Sequence, residues 1–129
     1  MNTVTSADGT AIVYDIQGQG PPVIMVDGAM SLRQSKAQLA ELLATSFTVV
    51  NYDRRGRGDS GDTRPYGVAR EVEDINALIG EVGGTAGLFG HSSGATLALE
   101  AAAQLAGKER RAFGKLLKKH GIERGQSFG

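Results

Sequence analysis

The sequence predicts an α/β protein: a mostly parallel sheet with helices on both faces and an antiparallel hairpin at its start. Three observations predict it. Stretches of strand character alternate with stretches of helical periodicity. Residues 23–26 are a continuous apolar run, the mark of a strand buried on both faces. Polar, glycine-bearing loops follow the strands, where sheets of this kind place their sites.

Each element follows in turn. Residues 1–6 and 10–16 flank Ala7-Asp8-Gly9 and read as a hairpin with an Asp-Gly turn. Gly18-Gln19-Gly20-Pro21-Pro22 stops it. After the strand at 23–26 comes the loop Asp27-Gly28-Ala29. Leu39, Leu42 and Leu43, with Ala40 and Ala44, fit a helix of about a dozen residues. Residues 47–52 are apolar and β-branched, a second buried strand, and 53–65 form a polar loop. Val68, Val72, Ile75, Leu78, Ile79 and Val82 recur at spacings of three and four, an amphipathic helix that Gly83-Gly84 ends. A short strand at 85–89 and an alanine-rich helix at 93–106 complete the pattern.

Composition narrows the function. At 129 residues the chain is one domain by length, with 40% hydrophobic and 22% charged residues, as in globular proteins. It has no cysteine and two histidines, so a disulfide framework and thiolate or histidine metal sites are not expected. No apolar run reaches the roughly 20 residues of a membrane span, and no leader pattern opens the chain, so a cytoplasmic protein is the expectation. Residues 1–107 carry 7 basic and 12 acidic side chains, residues 108–129 carry 7 and 2. The expectation is a domain at 1–107 with a basic amphipathic tail helix at 108–129, docked on the acidic body. Nucleic acid or an anionic membrane is the alternative partner for that tail.

Gly90-His91-Ser92-Ser93-Gly94 lies between a strand and a helix, the setting of a nucleophile elbow. Ser92 is the candidate nucleophile. Gly90 and Gly94 remove side chains that would collide in so tight a turn. The following helix opens at once, so the Ser93 N–H can donate to an oxyanion and the helix dipole favours that charge. A second donor is expected from the loop after the central strand, at Ala29. Serines that only cap the helix are the alternative.

The loop YDRRGRGDSGD, residues 52–62, admits three readings. Gly56, Gly58 and Gly61 match a dinucleotide fingerprint, but Asp62-Thr63-Arg64-Pro65 intervenes before the next helix, which that motif must open directly. Arg57-Gly58-Asp59 matches an integrin-binding tripeptide, a chance match in such a chain. The preferred reading is a rigid turn in which Asp53 and Asp59 accept loop backbone hydrogen bonds and pair with arginines.

Taken together, VIMVDGA, YDRRGRGDS and LFGHSSGATLALEAA, in this order, resemble the N-terminal half of an α/β-hydrolase, over residues 2–106. The resemblance implies a serine hydrolase, such as an esterase, that acts on small esters without a cofactor. It departs in two places. The family usually has His-Gly where this chain has Asp27-Gly28. It also places an acid and a histidine on later strands, and residues 108–129 do not match those segments. The expectation is therefore a truncated α/β-hydrolase of about five strands, natural, spliced or engineered, with weak or partner-dependent activity or none.

Within the tail, Phe113, Leu116, Leu117 and His120 share one helix face. His120 is the candidate for an improvised base, against a plainer place at a helix end. The strand ending at Phe89 becomes a sheet edge, so a homodimer or higher oligomer paired along that edge is expected.

Overall fold

The computed structural model of the protein describes residues 1–105. The tail expected over 108–129, and His120 with it, lies outside the described residues. Five strands form one sheet: β1 (Asn2–Thr5), β2 (Ala11–Gln17), β3 (Pro22–Val26), β4 (Thr48–Tyr52) and β5 (Gly87–Gly90). Their spatial order is β1-β2-β4-β3-β5. β1 and β2 pair as the expected antiparallel hairpin, and β2 pairs antiparallel with β4. β4, β3 and β5 are parallel, with Ile24 of β3 opposite Val50 on one side and Leu88 on the other.

The hairpin turn is held by its aspartate. Asp8 Oδ1 accepts the Thr10 N–H at 3.1 Å, and Ser6 N–H donates to the Thr10 carbonyl at 2.8 Å. Parallel strands need crossovers, which α1 (Ala37–Leu43) supplies between β3 and β4 and α2 (Val68–Glu81) between β4 and β5; α3 (Ser93–Leu105) follows β5. The first is shorter than its apolar pattern suggests. Residues Arg33–Lys36 wind as a 3-10 turn before it. That turn is tied down from outside by Asp53, whose Oδ1 accepts the Arg33 N–H at 2.7 Å, and from within by Ser35, whose Oγ accepts the Leu32 N–H at 3.2 Å. The strand expected over 85–89 forms two residues later, and α2 ends where the Gly84 N–H returns to the Ile79 carbonyl at 3.0 Å.

Alternation along the strands divides the core. Ile12, Tyr14, Ile24, Val26, Val50 and Tyr52 face Val72, Ile75 and Leu78 of α2 and Leu97, Ala98 and Ala101 of α3. Met25 and Val49 face Ala40, with Leu39 and Leu43, on the α1 side. β3 and β4 are thus buried on both faces, as continuous apolar runs require. Among the described residues no helix is long and apolar enough to cross a membrane.

Candidate active site

The parallel strands β3, β4 and β5 point their carboxyl ends the same way. The loops 27–32, 53–67 and the turn 91–92 therefore converge at one end of the sheet. At that end Ser92 stands between β5 and α3 with φ 58°, the one non-glycine among the described residues with a left-handed backbone. Such a conformation costs on the order of 1–3 kcal/mol and persists only where surroundings enforce it. Here the enforcement is visible. The His91 N–H donates to the Val26 carbonyl at 3.1 Å, the Gly94 N–H to the His91 carbonyl at 2.9 Å, and the Ala95 N–H to the Ser92 carbonyl at 3.0 Å.

The flanking glycines are required by space. A Cβ on Gly90 would stand 2.5 Å from the Ala95 Cα, and one on Gly94 would overlap the Val26 carbonyl oxygen. Gly28 closes the third side: its Cβ would lie 3.3 Å from Ser92 Cβ and 3.6 Å from Ser92 Oγ. The loop after β3 thus runs against the serine with only backbone between them. Ser92, Ser93 and His91 are all exposed. Among the described residues Ser92 Oγ has no hydrogen-bond partner, neither the His91 imidazole nor a carboxylate.

The Ala29 N–H donates to Ser93 Oγ at 2.9 Å, so the two expected oxyanion donors come from segments in direct contact. Ser93 Oγ also accepts from Arg54 Nη1 at 3.1 Å, and the same nitrogen donates to the Asp27 carbonyl at 3.2 Å. Behind it Glu71 grips the guanidinium twice, Nε–Oε1 and Nη2–Oε2, both 2.7 Å. Tyr66 Oη donates to Glu71 Oε2 at 2.5 Å. Burial pushes the Glu71 carboxyl up, but its bonds from Arg54 and Tyr66 outweigh that and hold it below the usual range.

Asp27 differs. It is 2% exposed, and neither carboxylate oxygen has a hydrogen-bond partner among the described residues. Burial pushes its pKa up to about 6, against the pull of Lys36, His91 and Arg54 and with a push from Asp53.

The rigid-turn reading of the 53–62 loop fits at Asp53, whereas the Asp59 carboxylate pairs with an arginine but accepts no backbone hydrogen bond among the described residues. Asp53 accepts the Asp59 N–H at 3.0 Å and the Arg33 N–H at 2.7 Å, while the Arg33 guanidinium binds Asp53, Asp59 and Asp15. Sequence pattern points to Asp53 and Asp59 but not to Arg33, Arg54 or Glu71. A weak signal exists: Glu71 and Asp74 interrupt the apolar stripe of α2, and buried acids there need cations. Among the described residues no group of histidine and acidic side chains could hold a metal ion.

Comparison with known proteins follows the same lines. Residues 27–120 match the model of the alpha/beta hydrolase family. YraK of Bacillus subtilis (strain 168), named an uncharacterized hydrolase, is 32% identical over 103 residues, 77% of this chain and 38% of that protein. The crystal structure of an alpha/beta hydrolase from Sphaerobacter thermophilus DSM 20745 is similar at TM-score 0.78 and 59% identity, covering 80% of this chain and 40% of that one. The esterase RhEst1 from Rhodococcus sp. ECU1013 gives TM-score 0.74 and 28% identity, over 80% and 40% of the two chains. The chain thus spans about two fifths of the length of these proteins.

Proposed function

Since the chain belongs to the alpha/beta hydrolase family, we propose that it acts on small esters through an acyl-serine intermediate, with Ser92 as the nucleophile. One observation carries the proposal: the strained, exposed backbone of Ser92 at the carboxyl end of β5, clamped between Gly28, Gly90 and Gly94. A serine that merely capped α3 would not need φ 58°.

In this reading Ser92 Oγ attacks the ester carbonyl carbon and its proton leaves to a base. The carbonyl oxygen becomes an oxyanion, received by the Ser93 N–H, by the Ala29 N–H as it leaves Ser93 Oγ, and by the positive end of α3. The intermediate collapses with loss of the alcohol, leaving acyl-Ser92, and water then releases the acid and restores the hydroxyl. The base has to come from beyond residues 1–105. His120 is the candidate within the chain, and a second copy paired along β5 is the candidate outside it. Oxyanion donors and binding retain part of the rate even where the base is missing. No cofactor enters this reaction.

The second reading is a chain that folds and self-associates without catalysis. It is favoured by the free side of β5, which among the described residues pairs with β3 alone. Hydrolysis of p-nitrophenyl acetate by the wild type and by Ser92→Ala separates the two. Turnover that falls at least tenfold in the variant supports the first, and equal rates overturn it.

A further inference from the structure

The buried arginines divide into two kinds. Arg33 and Arg55 join carboxylates to one another. Arg54 alone reaches past its carboxylate to the site. Its Nη1 bonds at once to the Asp27 carbonyl, 3.2 Å, and to Ser93 Oγ, 3.1 Å. The first lies in the loop that ends β3, two residues before Ala29. The second lies on the first residue of α3. One nitrogen therefore spans the two segments that present the Ala29 and Ser93 N–H groups, and Ser93 Oγ completes the link by accepting the Ala29 N–H.

We infer that Arg54 is a positioning residue for the oxyanion site, fixing the Asp27–Gly28–Ala29 loop against the start of α3 through its bridge from the Asp27 carbonyl to Ser93 Oγ. The inference rests on the reading of Ala29 and Ser93 as oxyanion donors. Two donors from different segments serve an oxyanion only when the segments that carry them are held at a fixed separation, and Ala29, whose N–H is held by Ser93 Oγ, has then only to change acceptor. Backbone packing of Gly94 on Val26 and Asp27 sets the start of the loop; from there to Ala29 the ties to α3 are the bonds that Arg54 and Ser93 Oγ make. Arg54 is suited to the task because its other edge is locked. Glu71 holds it in a two-bond fork, and Glu71 is itself held by Tyr66. A lysine could carry the charge but not a fork on one side and a bridge on the other. Ser93 Oγ accepts from two donors, leaving its own hydrogen to point away from both. That orders the side chain beside the serine that attacks.

The test uses the full chain, with Arg54→Lys, Glu71→Gln and Ser93→Ala. Ser93→Ala removes the acceptor of the Ala29 N–H while leaving the Arg54–Glu71 pair intact, so it gives the amide shift and exchange rate of a released Ala29. Glu71→Gln touches neither segment, so any effect at Ala29 travels through Arg54. By amide NMR, Arg54→Lys and Glu71→Gln are expected to move the Ala29 resonance toward its Ser93→Ala value. Ala29 exchange should quicken about tenfold or more, with Ile24 and Val50 in the central strands unchanged. On p-nitrophenyl acetate the same two variants should lose about tenfold in kcat with KM within about twofold. An Ala29 resonance that stays put overturns the inference. So does faster exchange at Ala29, Ile24 and Val50 together, or loss of fold in both variants, since the pair would then only support the fold. If the wild type shows no turnover that depends on Ser92, the catalytic reading fails, and the Ala29 resonance still decides whether Arg54 sets the loop.

Discussion

Arg55 and Asp74 meet in a buried fork, Nε to Oδ2 at 2.8 Å and Nη2 to Oδ1 at 2.6 Å. On its other side the same guanidinium donates to Asp8 at 2.7 Å, so one arginine joins α2 to the turn of the β1–β2 hairpin. Both partners of the fork are buried and fully enclosed by protein. Removing one leaves a buried charge without a counterion, which costs far more than the pair itself contributes.

Arg55→Met is therefore expected to lower stability by about 3–5 kcal/mol. Adding Asp74→Leu should recover a substantial part, because it removes the orphaned carboxylate. Urea denaturation at neutral pH measures both. A single-variant loss below about 1 kcal/mol, within the range of an exposed pair, would show that water reaches the fork. The Asp8 end has its own pH signature. Arg55 holds the Asp8 carboxyl well below the usual carboxylate range, so its contribution is present above about pH 4 and fades as the pH falls below that.

Two glycine replacements should move stability in opposite directions. A Cβ on Gly94 collides with the backbone of Val26 and Asp27, which cannot yield without displacing β3 from α3. Gly94→Ala should cost about 1–3 kcal/mol or more and disturb the elbow. Gly80, exposed in the last turn of α2, has nothing within 4 Å of a Cβ. Gly80→Ala should add about 0.4–1 kcal/mol, by helix propensity and a less free unfolded chain. Thermal melts compare them, and a stabilising Gly94→Ala would contradict the packing of the elbow.

These contrasts show which features are legible in the sequence. The hairpin, the buried strands β3 and β4, and the helices α2 and α3 rest on local pattern, turn chemistry and periodicity. The elbow was legible for the same reason: Gly90, Ser92 and Gly94 are neighbours in the chain. The charge network was not. Arg54–Glu71, Arg55–Asp8 and Arg33–Asp15 join residues 17 to 47 positions apart, and a sequence shows the charges without their partners. Nor could it show that Asp27 has no partner, because isolation is a property of the packed interior. The 3-10 turn before α1 belongs with these, since the Asp53 carboxylate that ties it lies 20 residues away.

Asp27 should make the protein prefer mild acid to mild alkali. Its pKa stands at about 6 in the folded chain because burial disfavours the charged form, against about 4 in an unfolded one. The folded state holds the proton more tightly. Its advantage is complete below about pH 4 and is lost as the pH rises through 6. Lys36, His91 and Arg54 favour the ionised form and Asp53 opposes it, so the balance belongs to the cluster. Asp27→Asn removes the ionisation and should raise stability at pH 8 by about 1–3 kcal/mol, with little change at pH 4. Chemical denaturation at the two pH values measures it, and an equal effect at both would place the carboxylate in water or in a bond.

The free side of β5 yields the last prediction. Among the described residues β5 hydrogen-bonds to β3 alone, so its other side presents unpaired N–H and C=O groups. A second copy can satisfy them by pairing β5 with β5 about a two-fold axis, which makes the two strands antiparallel. Each β5 runs toward its own elbow, so antiparallel pairing puts the two Ser92 residues at opposite ends of the joined strands. In such a dimer the partner's elbow cannot supply a base, and any base in trans has to come from another segment of the partner. Light scattering at micromolar concentration is expected to give a dimer or larger species. A monodisperse monomer would overturn the pairing and a base supplied across it.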